Sequence, residues 1–222
     1  MEKQKISSLP TIRRLPSYLY VVRRAAREGH EVISGTVIAQ ELELEPIQVR
    51  KDLALTGVTG RPRIGYPVQD LIEAIESFLN WDRRHNAAVV GTGSLGTALM
   101  GYEEFKRHGL NIVAAFDVDP AKVGTTVRGR PVRHPDEVGK AAAELGIEIA
   151  ILTVPSASAQ PVAEGLIEAG IRSIWNFTNV KLKVPNDVVV QKEDVSSGYA
   201  VLSVRMGIRD GKTVLRDPDE VS

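Results

Sequence analysis

Three glycines and one carboxylate give the chain its clearest chemistry. Asn86–Gly96 reads N-A-A-V-V-G-T-G-S-L-G, and a second apolar run, Ile112–Phe116, ends in Asp117. In a dinucleotide site each piece has a mechanical task. Gly91 allows the tight turn, Gly93 has no Cβ to hold off a pyrophosphate, and Gly96 lets the next helix pack on the strand. The unpaired N–H groups and positive dipole end at the helix start attract phosphates. The expected cofactor residues here are Gly91, Thr92, Gly93, Ser94, Leu95, Gly96 and Asp117. Asp117 can accept hydrogen bonds from the adenosine ribose hydroxyls and repel a 2′-phosphate, which favours NAD(H) over NADP(H). Lys122 and Arg128, the nearest cations in sequence that could hold such a phosphate, fall beyond the Asp119-Pro120 turn. A glycine-rich turn without a ligand can share this spacing. Here a strand before, a helix after, a second strand and an acidic end occur together.

The elements that must position these residues alternate in type. Ala87–Val90 reads as a buried strand, and Leu95–Arg107 as one helix with Leu95, Leu99, Tyr102 and Phe105 along a face. Ile112–Phe116, Pro131–Val132, Glu148–Val154, Ile171–Phe177 and Val188–Val190 read as further strands, with helices at Pro135–Leu145 and Gln160–Ala169. This order predicts an α/β fold with a doubly wound parallel sheet, the strand ends at Asp117, Val154 and Asn176 lining one crevice. An NAD-dependent dehydrogenase on such a sheet needs an acid or base beside its substrate. No His, Lys or paired carboxylate stands at the strand ends, and Ser156 and Asn176 read as loop-fixing residues, so no catalytic residue is assigned.

Ahead of the sheet the pattern is purely helical at first. After an arm over residues 1–10, Pro16–Glu28 reads as a helix, with Leu19, Val22 and Ala26 at helical spacing. Ser34 is placed to cap a second helix, Gly35–Leu42, and Pro46 to begin a third, P-I-Q-V-R-K-D-L-A-L-T, which stops at Gly57. Ile47, Val49, Leu53 and Leu55 are its expected buried stripe. G-V-T-G-R-P-R-I-G-Y then reads as a hairpin wing and Val68–Asn80 as a closing helix. Helix, short helix, turn, helix and wing is the order of a winged helix-turn-helix. In such motifs the early residues of the second motif helix face base edges, where Gln suits adenine and Arg or Lys suits guanine. Gln48, Arg50 and Lys51, with Arg61 and Arg63 in the wing, are the expected DNA-binding residues. A solvated basic helix face is the plainer alternative for Arg50 and Lys51.

Composition narrows the classes. The 222 residues are 43% hydrophobic and 25% charged, ordinary globular values. There is no cysteine, which excludes disulfides, thiolate metal sites and thiol-based redox sensing, and the four histidines are scattered, so no metal site is expected. No apolar run is long enough to span a membrane, and the N-terminus lacks the apolar core of a secretory signal, so a cytoplasmic location is expected. Net charge is zero, yet residues 1–66 hold 11 Lys/Arg against 7 Asp/Glu while the remainder is equally acidic. A basic head on an acidic body fits a polyanion partner for the head alone.

Together these motifs resemble the Rex family of redox-sensing transcriptional repressors. The resemblance lies in R-L-P at Arg14–Pro16, Q-V-R-K-D-L at Gln48–Leu53, the I-G-Y ending at Tyr66, G-T-G-S-L-G, F-D-V-D-P-A-K-V-G at Phe116–Gly124, L-T-V-P at Leu152–Pro155 and N-F at Asn176–Phe177. It implies a winged-helix domain over residues 1–83, a Rossmann NAD(H)-binding domain over 84–190 and a C-terminal dimerisation segment over 191–222, its helix Val195–Met206 exchanged between the subunits of a homodimer. It implies a repressor of a palindromic double-stranded DNA operator whose affinity NADH lowers. It places Tyr102 near the nicotinamide, within reach of Asp194 on the exchanged helix, as a switch pair. Val154, Pro155 and Phe177 join Tyr102 as the residues expected to read the ring. Tyr20 stands where family members often carry an Arg, so the ion pair that such an Arg forms with Asp194 is absent. A-L-T-G follows R-K-D-L in place of the usual S-Y-F-G. A repressor of the same fold answering to another nucleotide, such as CoA, or one without a redox response, remains open on the residues alone.

Overall fold

The computed structural model describes residues 9–212. The chain divides into two compact units. The first runs up to His85 and takes in Glu103–Asn111; the second comprises Asn86–Tyr102 and the chain from Ile112 onward.

In the first unit α1 (Leu9–Arg27), β1 (Val32–Ile33), α2 (Gly35–Glu41), α3 (Pro46–Ala54), β2 (Tyr66–Pro67) and α4 (Val68–Phe78) follow in order. Leu15, Leu19 and Val22 of α1 pack with Ile38, Val49, Leu53, Leu71 and Ile75 in one core. The Ser34 hydroxyl accepts the Val37 N–H at 3.2 Å, which fixes the start of α2. Three sequence expectations change here. The first helix begins at Leu9, not Pro16, and Pro16 lies inside it. Burial of Thr11, Leu15 and Tyr18 on one face outweighs the lost N–H of Pro16. Residues 1–8 of the expected arm lie outside the described residues. Ile47 and Leu55 are exposed, because Val49, Asp52 and Leu53 take the inward face of α3. The wing is a tight turn rather than a ladder. Arg61 and Gly65 form a single antiparallel bridge with backbone bonds of 2.7 and 2.9 Å, and Tyr66–Pro67 pairs instead with Val32–Ile33. Pro62 has no N–H to extend the ladder, and Arg63 turns the chain at φ 61°.

The helix expected over Leu95–Arg107 is two helices. α5 (Ser94–Met100) ends at Gly101, and a short α6 (Glu104–Arg107) packs with the first unit. There His108 stacks on Trp81 with ring centroids 4.0 Å apart, and the His85 N–H donates to Gly109 O at 2.8 Å.

The second unit is built on a seven-stranded sheet. Its strands are β3 (His85–Val90), β4 (Leu110–Phe116), β5 (Thr126–Val127), β6 (Arg130–Arg133), β7 (Ile147–Leu152), β8 (Ser173–Asn176) and β9 (Val189–Lys192), in the spatial order β5-β6-β4-β3-β7-β8-β9. Apart from the β5–β6 hairpin, the described pairings are parallel. Without β5 this is the doubly wound dinucleotide-fold order, and its direction reverses between β3 and β7. α7 (Val138–Leu145) and α8 (Ala159–Glu168) supply Val138, Ala141, Ala159, Ala163 and Leu166 to the core around Val90, Phe116 and Leu152. α9 (Ser196–Arg209) follows β9 and buries none of its residues within the chain. α9 ends with its C-cap at Asp210, followed by Gly211 at φ 67°, and residues 213–222 lie outside the described residues.

Candidate dinucleotide site and DNA-reading face

The glycine turn lies where the sheet reverses direction. Gly91 follows β3, its N–H donating to Phe116 O at 2.8 Å, and Thr153 closes the turn from the end of β7 with its hydroxyl on Gly91 O at 2.7 Å. Gly91 has φ +97°, and an added Cβ would lie 2.8 Å from Thr153 O. A Cβ on Gly96 would meet Gly91 O and, at 2.8 Å, the Thr153 hydroxyl. Both positions are therefore dictated by the protein's own packing. Gly93 differs: its Cβ would meet nothing within 4 Å, and its φ is an ordinary −70°. The chain itself leaves the space over Gly93 open. Ser94, Leu95 and Gly96 open α5 with no side-chain cap on their N–H groups.

Asp117 sits beside this turn. Its Oδ2 accepts the Thr92 N–H at 2.8 Å, the Thr92 hydroxyl at 2.6 Å and the Lys122 ammonium at 3.0 Å; its Oδ1 accepts the Asp119 N–H at 3.0 Å. Burial pushes this carboxyl up, but the bonds from Thr92, Asp119 and Lys122 outweigh burial and hold it well below the usual range. It is an anion with one further acceptor direction at Oδ1, suited to a ribose hydroxyl. Lys122 is closer than sequence spacing implied: the turn after Asp117 folds it back into an ion pair.

The residues expected at the ring are placed as follows. Val154 is half-buried against Gly91, Pro155 is exposed after β7, and Phe177 lies 5.0 Å from Trp175 between ring centroids. Tyr102 is exposed immediately after Gly101. The Ser196 hydroxyl and then the Ser196 N–H, at 3.0 Å, donate to Asp194 and hold its carboxyl below the ordinary range. Asn176 is buried, donating to Val180 O and accepting from the Thr178 N–H and hydroxyl, so its amide is committed to its loop. Thr153 escaped the sequence reading, as did the fold-back of Lys122 onto Asp117. A Thr ending an apolar strand opposite a glycine turn was the available signal for the first.

The DNA-reading expectation falls on α3. Arg50 and Lys51 are exposed there, and Arg61 and Arg63 are exposed in the wing turn. Gln48 does not face outward as expected. Its amide donates to Asp52 at 2.8 Å, because Asp52 is a buried carboxylate that must be satisfied. Thr11, Arg14 and Tyr18 of α1 complete the set, the Tyr18 hydroxyl at 2.6 Å and Arg14 by two bonds of 2.7 and 2.9 Å. Burial alone raises Asp52, but these bonds bring it down to about 2, while burial and Asp52 push Tyr18 up to about 12. The cluster fastens α3 to α1. Sequence reading missed it, although Thr11, Arg14 and Tyr18 share one helical face.

Among the described residues no group of potential ligands could hold a metal ion, and no helix is long and apolar enough to cross a membrane.

This combination defines a class: a winged-helix reader in one chain with a dinucleotide-binding sheet. Two family models match, one described as a putative DNA-binding protein N-terminus over residues 5–54 and one as a CoA binding domain over residues 82–180. The redox-sensing transcriptional repressor Rex of Treponema denticola is 57% identical over 94% of this chain and 100% of its own length. That of Bacteroides thetaiotaomicron is 40% identical over 95% and 99%. Crystal structures of RSP, a Rex-family repressor, superpose closely. The complex with β-NADH gives a TM-score of 0.83 at 30% identity, covering 93% of this chain and 97% of that one. The complex with β-NAD+ and operator DNA gives 0.85 at 31%, covering 95% and 100%. The chain belongs to the Rex family of redox-sensing transcriptional repressors.

Proposed function

We propose that this protein is a homodimeric repressor that binds a palindromic DNA operator through its winged-helix unit and releases it when NADH occupies the sheet. The glycine turn Gly91–Gly96 carries the reading: it leaves open space over Gly93, beside an ionised Asp117, at the reversal point of the sheet. Gly91–Gly96 and Asp117 see groups common to both redox forms, so they supply affinity. Discrimination belongs to residues that sense ring charge and planarity, and Tyr102, Val154, Pro155 and Phe177 fit this role. The apolar face of α9, with Tyr199, Leu202 and Met206 exposed, fits against a second copy and would bring in the partner subunit's Asp194. A ligand shifts a two-state equilibrium only through its differential affinity for the two states. The relatives are named as repressors and RSP was crystallised with NADH and with NAD+ and operator DNA, which supports this over a dehydrogenase. The test is operator binding by the full chain against the NADH/NAD+ ratio. Affinity that ignores the ratio overturns redox sensing and leaves a constitutive repressor.

The match to a CoA binding domain favours one second reading, a repressor answering to a CoA-type nucleotide. CoA shares the adenosine diphosphate but adds a ribose phosphate close to the anionic Asp117. Calorimetry with NADH and with CoA separates the two, and tighter CoA binding would replace the redox reading.

A further inference from the structure

The outward face of α3 is narrow and mixed in character. Val49, Asp52 and Leu53 are buried, and Gln48 is bonded inward to Asp52, so the apolar core and the carboxylate cluster fix the rotation of this helix together. Ile47, Arg50, Lys51 and Ala54, at spacings of i, i+3, i+4 and i+7, are left outward on one face. All four are exposed, and Ile47 is 57% exposed although apolar.

A single exposed isoleucine is ordinary on a protein surface. This one follows the helix-initiating Pro46, in the turn that meets base edges in helix-turn-helix proteins, beside two cations suited to the DNA backbone and to guanine. The neighbour with the chemistry for adenine, Gln48, is turned away. We infer that Ile47 is a specificity-determining residue that packs on the C5-methyl group of a thymine in the major groove. That methyl is the apolar group which a base pair presents on that edge. Ile47 and Arg50 are separated by about 4.5 Å along the helix axis, against roughly 3.4 Å per base-pair step. The thymine therefore lies one or two base pairs from the position that Arg50 contacts. The inference rests on the DNA-binding reading above.

The probe is the palindromic duplex that the full chain enriches from a random-sequence pool. Each thymine is replaced in turn, in both half-sites, by uracil, which removes the methyl and nothing else. At one position uracil should weaken wild-type binding about fourfold per half-site, the factor that burial of one methyl group corresponds to. The same replacement should cost Ile47→Ala nothing, and Ile47→Val should keep most of the wild-type loss. If no uracil lowers affinity, or if the loss is as large in Ile47→Ala, Ile47 does not read thymine. If the wild-type chain enriches no duplex at all, the DNA-binding reading itself falls and takes this inference with it.

Discussion

Gly93 and Gly96 stand three residues apart and should fail in opposite ways. Gly93→Val places a side chain in open space at the N-cap of α5, where Val is disfavoured, so stability should fall by only about 1 kcal/mol while NADH binding is lost. Gly96→Ala drives a methyl into the Gly91 carbonyl and the Thr153 hydroxyl, and should destabilise the second unit by about 1–3 kcal/mol. Thermal melts with and without NADH distinguish the two. At Asp117, the ion pair with Lys122 would offset part of the repulsion toward a 2′-phosphate, while Oδ1 accepts the Asp119 N–H and would be the oxygen offered to a ribose. NADH should bind more tightly than NADPH by calorimetry, and Asp117→Ala should narrow the gap; equal affinities in the wild type would remove Asp117 as the discriminator. On α3, Arg50→Ala should cost about 1–3 kcal/mol if it removes a base contact, whereas loss of a Lys51 phosphate contact should lower the salt slope of binding by about one. A double Ala variant that binds as well as the wild type would show that α3 is not the reading helix.

Among the elements, the joint between α1 and α3 hangs on one carboxylate. Asp52 titrates at about 2 in the folded chain against an ordinary 3.8, so its contribution is complete above pH 3.8 and is lost as pH falls toward 2. The difference amounts to about 2 kcal/mol. Asp52→Asn should lower the stability of the first unit by about 3 kcal/mol at neutral pH and flatten its acid sensitivity in that window, as read by urea unfolding at each pH. An unchanged acid profile would detach the sensitivity from Asp52. This joint was hidden in the sequence because its members, Thr11, Arg14, Tyr18, Gln48 and Asp52, each have innocent local readings, and only tertiary packing brings 11 next to 52. The sheet was legible for the converse reason: Ala87–Val90 and Ile112–Phe116 are uninterrupted apolar runs whose burial on both faces follows from composition alone. The break between α5 and α6 was not legible, since Leu95, Leu99, Tyr102 and Phe105 keep a helical period straight through Gly101. α5 closes at Gly101, whose N–H bonds back to Ala98 O and Leu99 O, and Glu103–Asn111 then packs with the first unit, a change of partner that periodicity cannot see.

For the molecule as a whole, the proposed dimer rests on α9. Tyr199, Val201, Leu202, Val204, Met206 and Ile208 are all more than 40% exposed, more apolar surface than one helix of a monomer ordinarily leaves to water. A chain ending before Asp194 should sediment as a monomer and lose affinity for a palindrome far more than for a half-site. A truncated chain that still sediments as a dimer would place the interface elsewhere. Tyr102→Phe and Asp194→Ala should leave operator binding without cofactor intact while reducing its response to NADH.

The first unit also cannot be cut out of the chain as a ribbon. Trp81 needs the ring of His108, and the Arg83 carbonyl lies where any side chain on Gly109 would go, yet the chain reaches both partners only after passing through Gly91–Gly96. A recombination breakpoint at residue 85 would join one relative's Trp81 to another's 108–109 segment and leave the seam mismatched. Chimaeras that carry 103–111 along with residues up to 85 should fold where simple head swaps do not.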